Sequence, residues 1–312
     1  MIYILSCDTI KNGGGIYAYN LTQNGKFKKQ GYFPCEKPMY AVKTGNELCV
    51  LLREPFEYSK NSGYFFVDKK LKTKTEVVDT KGVIACHLCV DFDNVYVTNY
   101  VSGNVVKNGE LVEQRVGTSV HPTRQDKPYT HFITKTPDGY FAVCDLGTDT
   151  LAIYNKDLTL ISEEKVPLGY GIRHLVYSNN GKHIYAINEL VPSVSVFSYE
   201  NGKAKHIKTI NIACKNEKAN GAAIRLSNDG KFLYVSLRVE NVICVFSVDN
   251  ENLTLVQKID AGVDSPRDFN LFGNYLISLG EKSNNAVAFL LKDGLIESKL
   301  DEITINRALC CL

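Results

Sequence analysis

Tryptophan is absent from the 312 residues, and so are long apolar runs. The absence of tryptophan excludes repeats that are marked by a Trp-Asp pair. No apolar run reaches the roughly 18 residues that a transmembrane helix requires. The first residues, MIYILSCDTIKNGG, lack the basic region and the full apolar region of a secretory signal. We therefore expect a cytoplasmic protein that has no membrane partner.

A strong excess of either charge is also lacking, since 36 basic residues stand against 34 acidic ones, for a formal net charge of +2. This balance provides no global field that would attract nucleic acid, so no nucleic-acid partner is expected. Motifs for a phosphate loop, a dinucleotide site or a nucleophile elbow are missing as well. We expect no cofactor.

Ten cysteines are present, and several lie inside apolar strand-like runs, among them Cys49, Cys144 and Cys244. Free cysteine behaves in such runs as a small buried hydrophobe. Cys86-His87-Leu88-Cys89 is similar to half of a zinc site, but no second pair of ligands stands at a suitable spacing. On a regular strand Cys86 and His87 would also point to opposite faces. We expect neither a metal nor a disulfide framework.

One pattern recurs along the chain: a strand, a tight glycine turn, a second strand, a polar gap and a third strand. The clearest copies are SNNGKHIYAINELVPSVSVFSY (178–199) and SNDGKFLYVSLRVENVICVFSVD (227–249). Asn-Gly and Asp-Gly accept the positive φ angles of tight hairpin turns, and the Val, Ile, Tyr and Phe around them favour strands.

Seven copies at a period of about 45 residues account for the whole chain, which is typical of four-stranded propeller blades. Their central strands are marked by Tyr3, Leu48, Tyr96, Phe141, Tyr185, Tyr234 and Leu276. The sequence therefore predicts an all-β, seven-bladed β-propeller that forms a single domain over residues 1–312.

The first copy lacks an inner strand, because the chain opens directly at MIYIL. The C-terminal segment 306–312, NRALCCL, is a spare strand. We predict that it supplies the missing inner strand of the first blade. That would close the ring and remove two open sheet edges.

Motifs in the later copies follow a known order and spacing. Ile172-Arg173-His174, Ser178-Asn179-Asn180-Gly181 and Tyr185-Ala186-Ile187-Asn188-Glu189 resemble the Pro-Arg-His, Ser-Pro-Asp-Gly and Tyr-x-x-Asn-Glu hallmarks of one family. HPTRQDKPYTHFI (121–133) and SPRDF (265–269) are similar to further segments of it. The family is the lactonases typified by the propeller-type 6-phosphogluconolactonase, which also includes fungal 3-carboxymuconate cyclases. Ile172 departs from the pattern, and the first two copies match it poorly.

Ionisable residues recur at two aligned positions of the copies. Such residues are unusual near the centre of a propeller unless they bind something. We expect six of them to ring one mouth of the central channel. They are His131, Arg173 and Arg267 in the inner strands, and Glu189, Arg238 and Glu281 after the second strands.

The family resemblance implies a catalytic set of His, Arg, Glu and Arg, whose first three members fall on His131, Arg173 and Glu189. Arg238 is our choice for the fourth member and Arg267 the reserve. Lactone hydrolysis needs a base that activates water and positive charge that stabilises the oxyanion. Glu189 or His131 could be the base, and Arg173 could polarise the carbonyl.

Further residues are candidates for substrate binding. Arg238 and Arg267 could fork onto a phosphate or a carboxylate, and Glu281 shares their ring. His121 and Gln125 lie with Arg124 in a loop that either lines the mouth or is merely exposed. Strand alternation predicts that His174 faces away from Arg173 and serves in packing or in a structural hydrogen bond.

The residues leave several functions open. The resemblance implies hydrolysis of an anionic sugar lactone, with 6-phosphogluconolactone of the pentose phosphate pathway as the first choice. A carboxymuconate-type cycloisomerase would use similar groups, because its substrate is also anionic. A non-catalytic interaction scaffold is a third option. A calcium-dependent gluconolactonase is less favoured, because Glu189 and Glu281 are a thin ligand set beside many arginines.

Overall fold

The strand repeat of the sequence folds into a ring of seven antiparallel sheets. The computed structural model describes all 312 residues, with 28 strands in seven four-stranded sheets. Two three-residue 3-10 helices, Ile10–Asn12 and Leu146–Thr148, are the only helical turns. Neither has the length and apolarity that crossing a membrane requires. The prediction of an all-β, seven-bladed propeller is confirmed.

The sheets are called blades 1 to 7 in chain order. The strands that follow the N-terminus through blade 3 are β1 (Ile2–Ser6), β2 (Gly15–Leu21), β3 (Phe27–Pro34), β4 (Pro38–Thr44), β5 (Glu47–Leu52), β6 (Asn61–Asp68), β7 (Val78–Val83), β8 (Ala85–Asp91), β9 (Asn94–Asn99), β10 (Asn104–Lys107) and β11 (Glu110–Gln114). Those of blades 4 and 5 are β12 (Thr130–Lys135), β13 (Phe141–Asp145), β14 (Thr150–Tyr154), β15 (Leu160–Lys165), β16 (Ile172–Tyr177), β17 (His183–Asn188), β18 (Ser193–Glu200) and β19 (Lys203–Asn211). The remaining strands are β20 (Asn220–Leu226), β21 (Phe232–Arg238), β22 (Val242–Asp249), β23 (Asn252–Asp260), β24 (Pro266–Phe272), β25 (Tyr275–Gly280), β26 (Asn285–Lys292), β27 (Leu295–Thr304) and β28 (Ala308–Cys311).

Blade 1 is built from both ends of the chain, in the order β28-β1-β2-β3. Ile4 pairs with Cys311 and Leu5 with Cys310, and every residue of β28 is buried. Tyr3 and Leu312 also exchange two backbone hydrogen bonds of 2.9 and 3.0 Å. The predicted closure by the C-terminal strand is confirmed, although Asn306 and Arg307 precede the strand instead of belonging to it.

Buried tyrosines of the second strands link each blade to the next one. Tyr185 in blade 5 donates a hydrogen bond of 2.6 Å to the carbonyl of Asn250 in blade 6, and Tyr234 in blade 6 donates one of 2.7 Å to Gly294 in blade 7. Tyr3 and Tyr96 do the same from blades 1 and 3. A tyrosine ring fills the space between two sheets, and its hydroxyl donates to a turn carbonyl of the next blade.

Each inner strand contains a β-bulge near its start, where the register with the second strand slips by one residue. A bulge places two residues opposite one on the partner strand, so side chains no longer alternate there. The bulge residues, here called the bulge ring, are Met39, Cys86, His131, Arg173, Ala222, Arg267 and Leu309.

The bulge overturns one expectation from strand alternation. Arg173 Nη1 lies 3.1 Å from His174 Nε2, so His174 does not face away from Arg173. A bulge at Cys86 likewise removes the regular alternation on which the expected opposition of Cys86 and His87 depended. The register slips between Ile172 and His174 and between Ala85 and His87, at the two pairs concerned.

Candidate active site

A cavity of about 340 Å³ opens at one end of the central channel. That volume lies at the lower end of the range of small-molecule sites. A larger hollow of about 600 Å³ is lined by turn residues such as Asn228 and Asp293 at the hairpins of blades 6 and 7, and few charged groups converge there. Five arginines and two carboxylates line the channel cavity, which makes it the candidate site.

One set of its side chains comes from the residue that ends or follows the second strand of each blade. The backbone N–H of this residue donates to the carbonyl that precedes the inner strand, as from Glu189 to Gly171 (2.8 Å) and from Arg53 to Lys37 (3.1 Å). The aligned residues, here called the upper ring, are Cys7, Arg53, Tyr100, Leu146, Glu189, Arg238 and Glu281. The structure thus places Glu189, Arg238 and Glu281 at equivalent positions.

The bulge ring supplies the second set. His131 and Arg267 line the cavity together with Met39, Cys86 and Leu309. Arg173 lies just beneath, in a narrow recess that it shares with His131 and Arg267. All six ionisable groups expected at the channel mouth are therefore gathered at this end of the ring.

Glu189 is the centre of a buried ion cluster. Its Oε2 accepts a hydrogen bond of 2.9 Å from Arg173 Nε and lies 3.1 Å from Arg238 Nη2, and its Oε1 is bound by Arg124. Burial alone would raise the pKa of Glu189, but Arg238 and Arg173 outweigh that effect and hold it well below its usual range. Glu189 is therefore ionised, and three guanidinium groups occupy its two oxygens. We call these four residues the Glu189 cluster.

Further contacts fix the arginines of this cluster. Arg173 Nη1 also donates to the carbonyl of Ala222 in the neighbouring blade, and Arg238 Nη2 donates to Gly221 at 3.2 Å. Arg124 Nη2 donates to the hydroxyl of Tyr100 at 3.0 Å. Since each guanidinium group forms several hydrogen bonds, its position and orientation are fixed before any ligand binds.

His131 is the neutral member of the site. It is 4% exposed, and burial followed by repulsion from Arg173 lowers its pKa well below the usual value of 6.5. Its ring makes edge contacts with Tyr100 and His174, at centroid distances of 5.4 and 5.1 Å. An unprotonated imidazole that lines a cavity rich in arginine can accept a proton at neutral pH.

Aromatic side chains fill the channel below the cavity. Tyr40, His87, Phe132 and His174 come from four successive blades and stack with centroid distances of 4.0, 4.1 and 4.9 Å along the series. Burial lowers the pKa of both His87 and His174 well below the usual value, so they pack as neutral rings. The Arg225–Asp268 ion pair of 2.7 Å, from blades 6 and 7, completes this layer.

Comparisons with known proteins agree with this architecture. A model of the family described as "Lactonase, 7-bladed beta-propeller" matches residues 2–312. The chain belongs to this lactonase family. An uncharacterized protein of Staphylococcus aureus strain USA300 is 31% identical over 288 residues, which cover 84% of both chains.

Two solved structures are similar over the full chain. One, from Bacteroides fragilis NCTC 9343, carries the provisional name 6-phosphogluconolactonase, with 25% identity, a TM-score of 0.89 and coverage of 100% of this chain and 96% of the other. The second is the periplasmic gluconolactonase PpgL of Pseudomonas aeruginosa, with 22% identity, a TM-score of 0.87 and coverage of 100% and 99%. At that identity the second likeness concerns the fold.

Two residues expected to bind substrate lie elsewhere in this lactonase-family propeller. Gln125 is fully buried, donates 2.9 Å to the carbonyl of Leu146 and accepts 3.1 Å from the amide of His121. His121 Nδ1 accepts a hydrogen bond of 3.2 Å from the amide of Arg124. Neither side chain lines the cavity, because both are engaged in folding the loop that presents Arg124.

Several lining residues were not found in the sequence. Arg53 occupies the upper ring of blade 2, and Tyr100 occupies that of blade 3, at the place of Glu189 in blade 5. Both stand at the position after the second strand that identified Glu189, so an alignment of copies 2 and 3 on their second strands would have pointed to them. Arg307 directly precedes β28 with a left-handed φ of 44°, and no pattern in the sequence pointed to it.

Proposed function

We propose that this chain hydrolyses an anionic sugar lactone, with 6-phosphogluconolactone as the substrate to test first. The observation that carries the proposal is the neutral His131 beside the Glu189 cluster, in a cavity where five arginines exceed two carboxylates. The family membership supports lactone chemistry, and the excess of positive charge supports an anionic substrate. A cytoplasmic location, a role in the pentose phosphate pathway and a single-domain chain belong to the same proposal.

In the proposed reaction His131 accepts a proton from a water molecule as that water attacks the lactone carbonyl carbon. The carbonyl oxygen becomes an oxyanion, which Arg238 and Arg124 stabilise. The bond from the carbonyl carbon to the ring oxygen then breaks, and the proton on His131 passes to that oxygen. As the oxyanion re-forms the carbonyl, the products are a hydroxyl and a carboxylic acid on one open chain, and the acid ionises to a carboxylate by releasing a proton to solvent. Water is the only other reactant.

Glu189 is assigned a positioning role in this scheme. It was one of two candidates for the base, but three arginines already occupy its two oxygens. Its function is to hold the arginines in place. His131 has no such partner, and its Nδ1 is buried without a hydrogen bond.

The first experiment compares hydrolysis of freshly made 6-phosphogluconolactone by the wild type and by His131→Gln. We expect kcat/KM to fall by about 100- to 10,000-fold, the usual contribution of a general base. His206→Gln is the matched control, because His206 lies on the outer strand β19 and bonds only to Thr209 at its ring nitrogen (2.9 Å). Wild-type turnover by His131→Gln would contradict the role of His131.

A second assay separates the lactonase from the cycloisomerase alternative. The wild type is supplied with 3-carboxymuconate under the same conditions, and its conversion is followed by absorbance. Conversion of that tricarboxylate, without lactone hydrolysis above the spontaneous rate, would overturn the lactonase proposal. Failure of both reactions would leave the scaffold alternative, which has no need of a buried ion cluster.

A calcium-dependent mechanism does not fit the donors present. The two carboxylates of the cavity are Glu189, which is saturated by arginines, and Glu281, which lies 3.9 Å from Arg267. Calcium prefers six to eight converging oxygens, and five guanidinium groups would repel it.

A further inference from the structure

The five arginines of the cavity and Arg173 just beneath it fall into two groups that differ in their partners. Arg124, Arg173 and Arg238 come from the connection into blade 4 and from blades 5 and 6, and they meet at Glu189. The other group comes from blades 7, 1 and 2, which are consecutive around the ring. We call Arg267, Arg307 and Arg53, in that order of blades, the open arginines.

The open arginines have little contact with protein acceptors. Arg53 and Arg307 use their backbone atoms, since Arg53 accepts at its carbonyl from Ser62 (2.7 Å) and Arg307 donates from its amide to Asn284 (2.8 Å). Their guanidinium groups form no ion pair. Arg267 has only a loose contact of 3.9 Å with Glu281, and both side chains are about a quarter exposed. All three guanidinium groups therefore keep free donors that face the cavity.

All three open arginines line the cavity, and their charges act on one thiol in the blade 1 wall. Burial raises the pKa of the Cys7 thiol, in the upper ring of blade 1, to about 11, while Arg307, Arg53 and Arg267 each act to lower it. One thiol thus lies within the field of all three open arginines. Met39 and Leu309 pack around Cys7, so the wall between the charges is apolar. An apolar wall strengthens the field of the charges beside it.

The balance of charge indicates what this region binds. Three guanidinium groups beside the single carboxylate of Glu281 leave two positive charges uncompensated. A phosphate monoester carries close to two negative charges at neutral pH and offers several acceptor oxygens, whereas a carboxylate carries one. Arginine forks match phosphate oxygens in pairs.

We propose that Arg53, Arg267 and Arg307 bind the phosphoryl group of the substrate. The lactone ring then lies in the cavity with its carbonyl toward His131 and the Glu189 cluster. This inference rests on the proposed function, because it assigns the two ends of one substrate to two groups of arginines. It makes the open arginines the determinants of specificity for phosphorylated over unphosphorylated lactones.

The test measures binding and does not require turnover. Titration calorimetry compares the stable product 6-phosphogluconate with gluconate, and inorganic phosphate serves as the minimal probe. The proteins are the wild type, Arg53→Met, Arg307→Met and the double variant. Lys231→Met is the control for loss of a charge, since Lys231 is 75% exposed in a hairpin turn away from the cavity.

We expect the wild type to bind 6-phosphogluconate at least about 100-fold more tightly than gluconate, and each single variant to lose about tenfold of that preference. The double variant should bind both compounds with similar affinity, and Lys231→Met should match the wild type. Denaturant unfolding of each variant checks that the fold persists. An undiminished preference in the folded double variant would overturn the inference.

The outcomes also separate this inference from the proposed function. Lactone turnover with an unchanged preference for phosphate in the double variant would contradict the inference alone. Arginine-dependent binding of inorganic phosphate and 6-phosphogluconate, without hydrolysis of the lactone, would contradict the proposed reaction and leave the phosphate site standing. Tighter binding of a dicarboxylate than of 6-phosphogluconate would overturn the choice of phosphate.

Discussion

Two groups of three arginines lie at one end of the channel, and they differ in their partners. The first group is Arg124, Arg238 and, just beneath the cavity, Arg173; the second is the open arginines of blades 7, 1 and 2. In the first group the guanidinium groups converge on Glu189 within about 3 Å. In the second group the single carboxylate within ion-pair distance is Glu281, 3.9 Å from Arg267. The first arrangement fixes the orientation of its guanidinium groups. The second leaves the N–H donors of its guanidinium groups available to a ligand.

This difference explains how one residue type can serve two purposes. Guanidinium groups that are held in place stabilise a developing oxyanion without reorganising during the reaction. Guanidinium groups without partners release only water when a ligand binds, so their hydrogen bonds contribute to affinity. The bulge ring and the upper ring make the arrangement possible, because each blade offers the same two positions for different side chains.

The largest effect is expected from deletion of residues 306–312. The deletion takes away Arg307 together with β28, so blade 1 loses its inner strand and the ring loses its closure. We expect an aggregated protein or one without a cooperative unfolding transition, as measured by circular dichroism and size-exclusion chromatography. Full-length Arg307→Met should keep the cooperative transition. A truncated protein with an unchanged melting temperature would refute the role of the closing strand.

A sharper test removes one carboxylate from each group. Glu189→Gln leaves the buried Arg173 and the partly buried Arg238 and Arg124 without their common carboxylate. We expect a loss of about 3 to 5 kcal/mol in the free energy of unfolding. Glu281→Gln removes a partly exposed contact of 3.9 Å and should cost less than about 1 kcal/mol. Denaturant titration measures both variants. Equal losses would show that the two groups of arginines do not differ as described.

The smallest effect concerns the neutral histidines at and beneath the cavity. Burial lowers the pKa of His87, His131 and His174 in the folded protein, so the unfolded chain binds more protons below the unfolded pKa of about 6.5. Their stabilising contribution is complete above that pH and is lost as pH falls below it. Each histidine contributes a slope of up to about 1.4 kcal/mol per pH unit.

The measurement is denaturant unfolding between pH 7.5 and 5.5, for the wild type and for His174→Gln. The variant should show a shallower fall in the free energy of unfolding over this range, because one of the three histidines no longer titrates. Replacing the exposed-side His206 by Gln should change the slope less, since its burial is smaller. Identical slopes for His174→Gln and the wild type would contradict the assignment of a neutral His174.

Much of the fold could be predicted because it depends on local signals. Gly181 and Gly230, with φ of 72° and 73°, occupy the hairpin turns that their Asn-Gly and Asp-Gly pairs indicate. The strand-forming runs between such turns repeat at a constant period, and the unpaired run at the C-terminus could only complete blade 1. These features require no knowledge of which blades touch.

The candidate site was less predictable because it depends on geometry across blades. A bulge leaves no mark in the pattern of apolar and polar residues, so His174 was assigned to the wrong side of Arg173. Arg53 and Arg307 lie in blades 2 and 1, which match the family pattern poorly. Gln125 looks like a binding residue in the sequence, and only its tertiary contacts with Leu146 and His121 reveal its structural role.

The stacked rings of Tyr40, His87, Phe132 and His174 affect how substrate enters the cavity and how product leaves it. Because these rings fill the channel beneath the cavity, substrate and product must use the same opening of the cavity. A product that keeps its phosphoryl group would hold on to the same arginines as the next substrate, so departure and arrival cannot overlap. The rate of turnover would then depend on the rate of product release. Accumulated product would inhibit the reaction by occupying the cavity that substrate must enter.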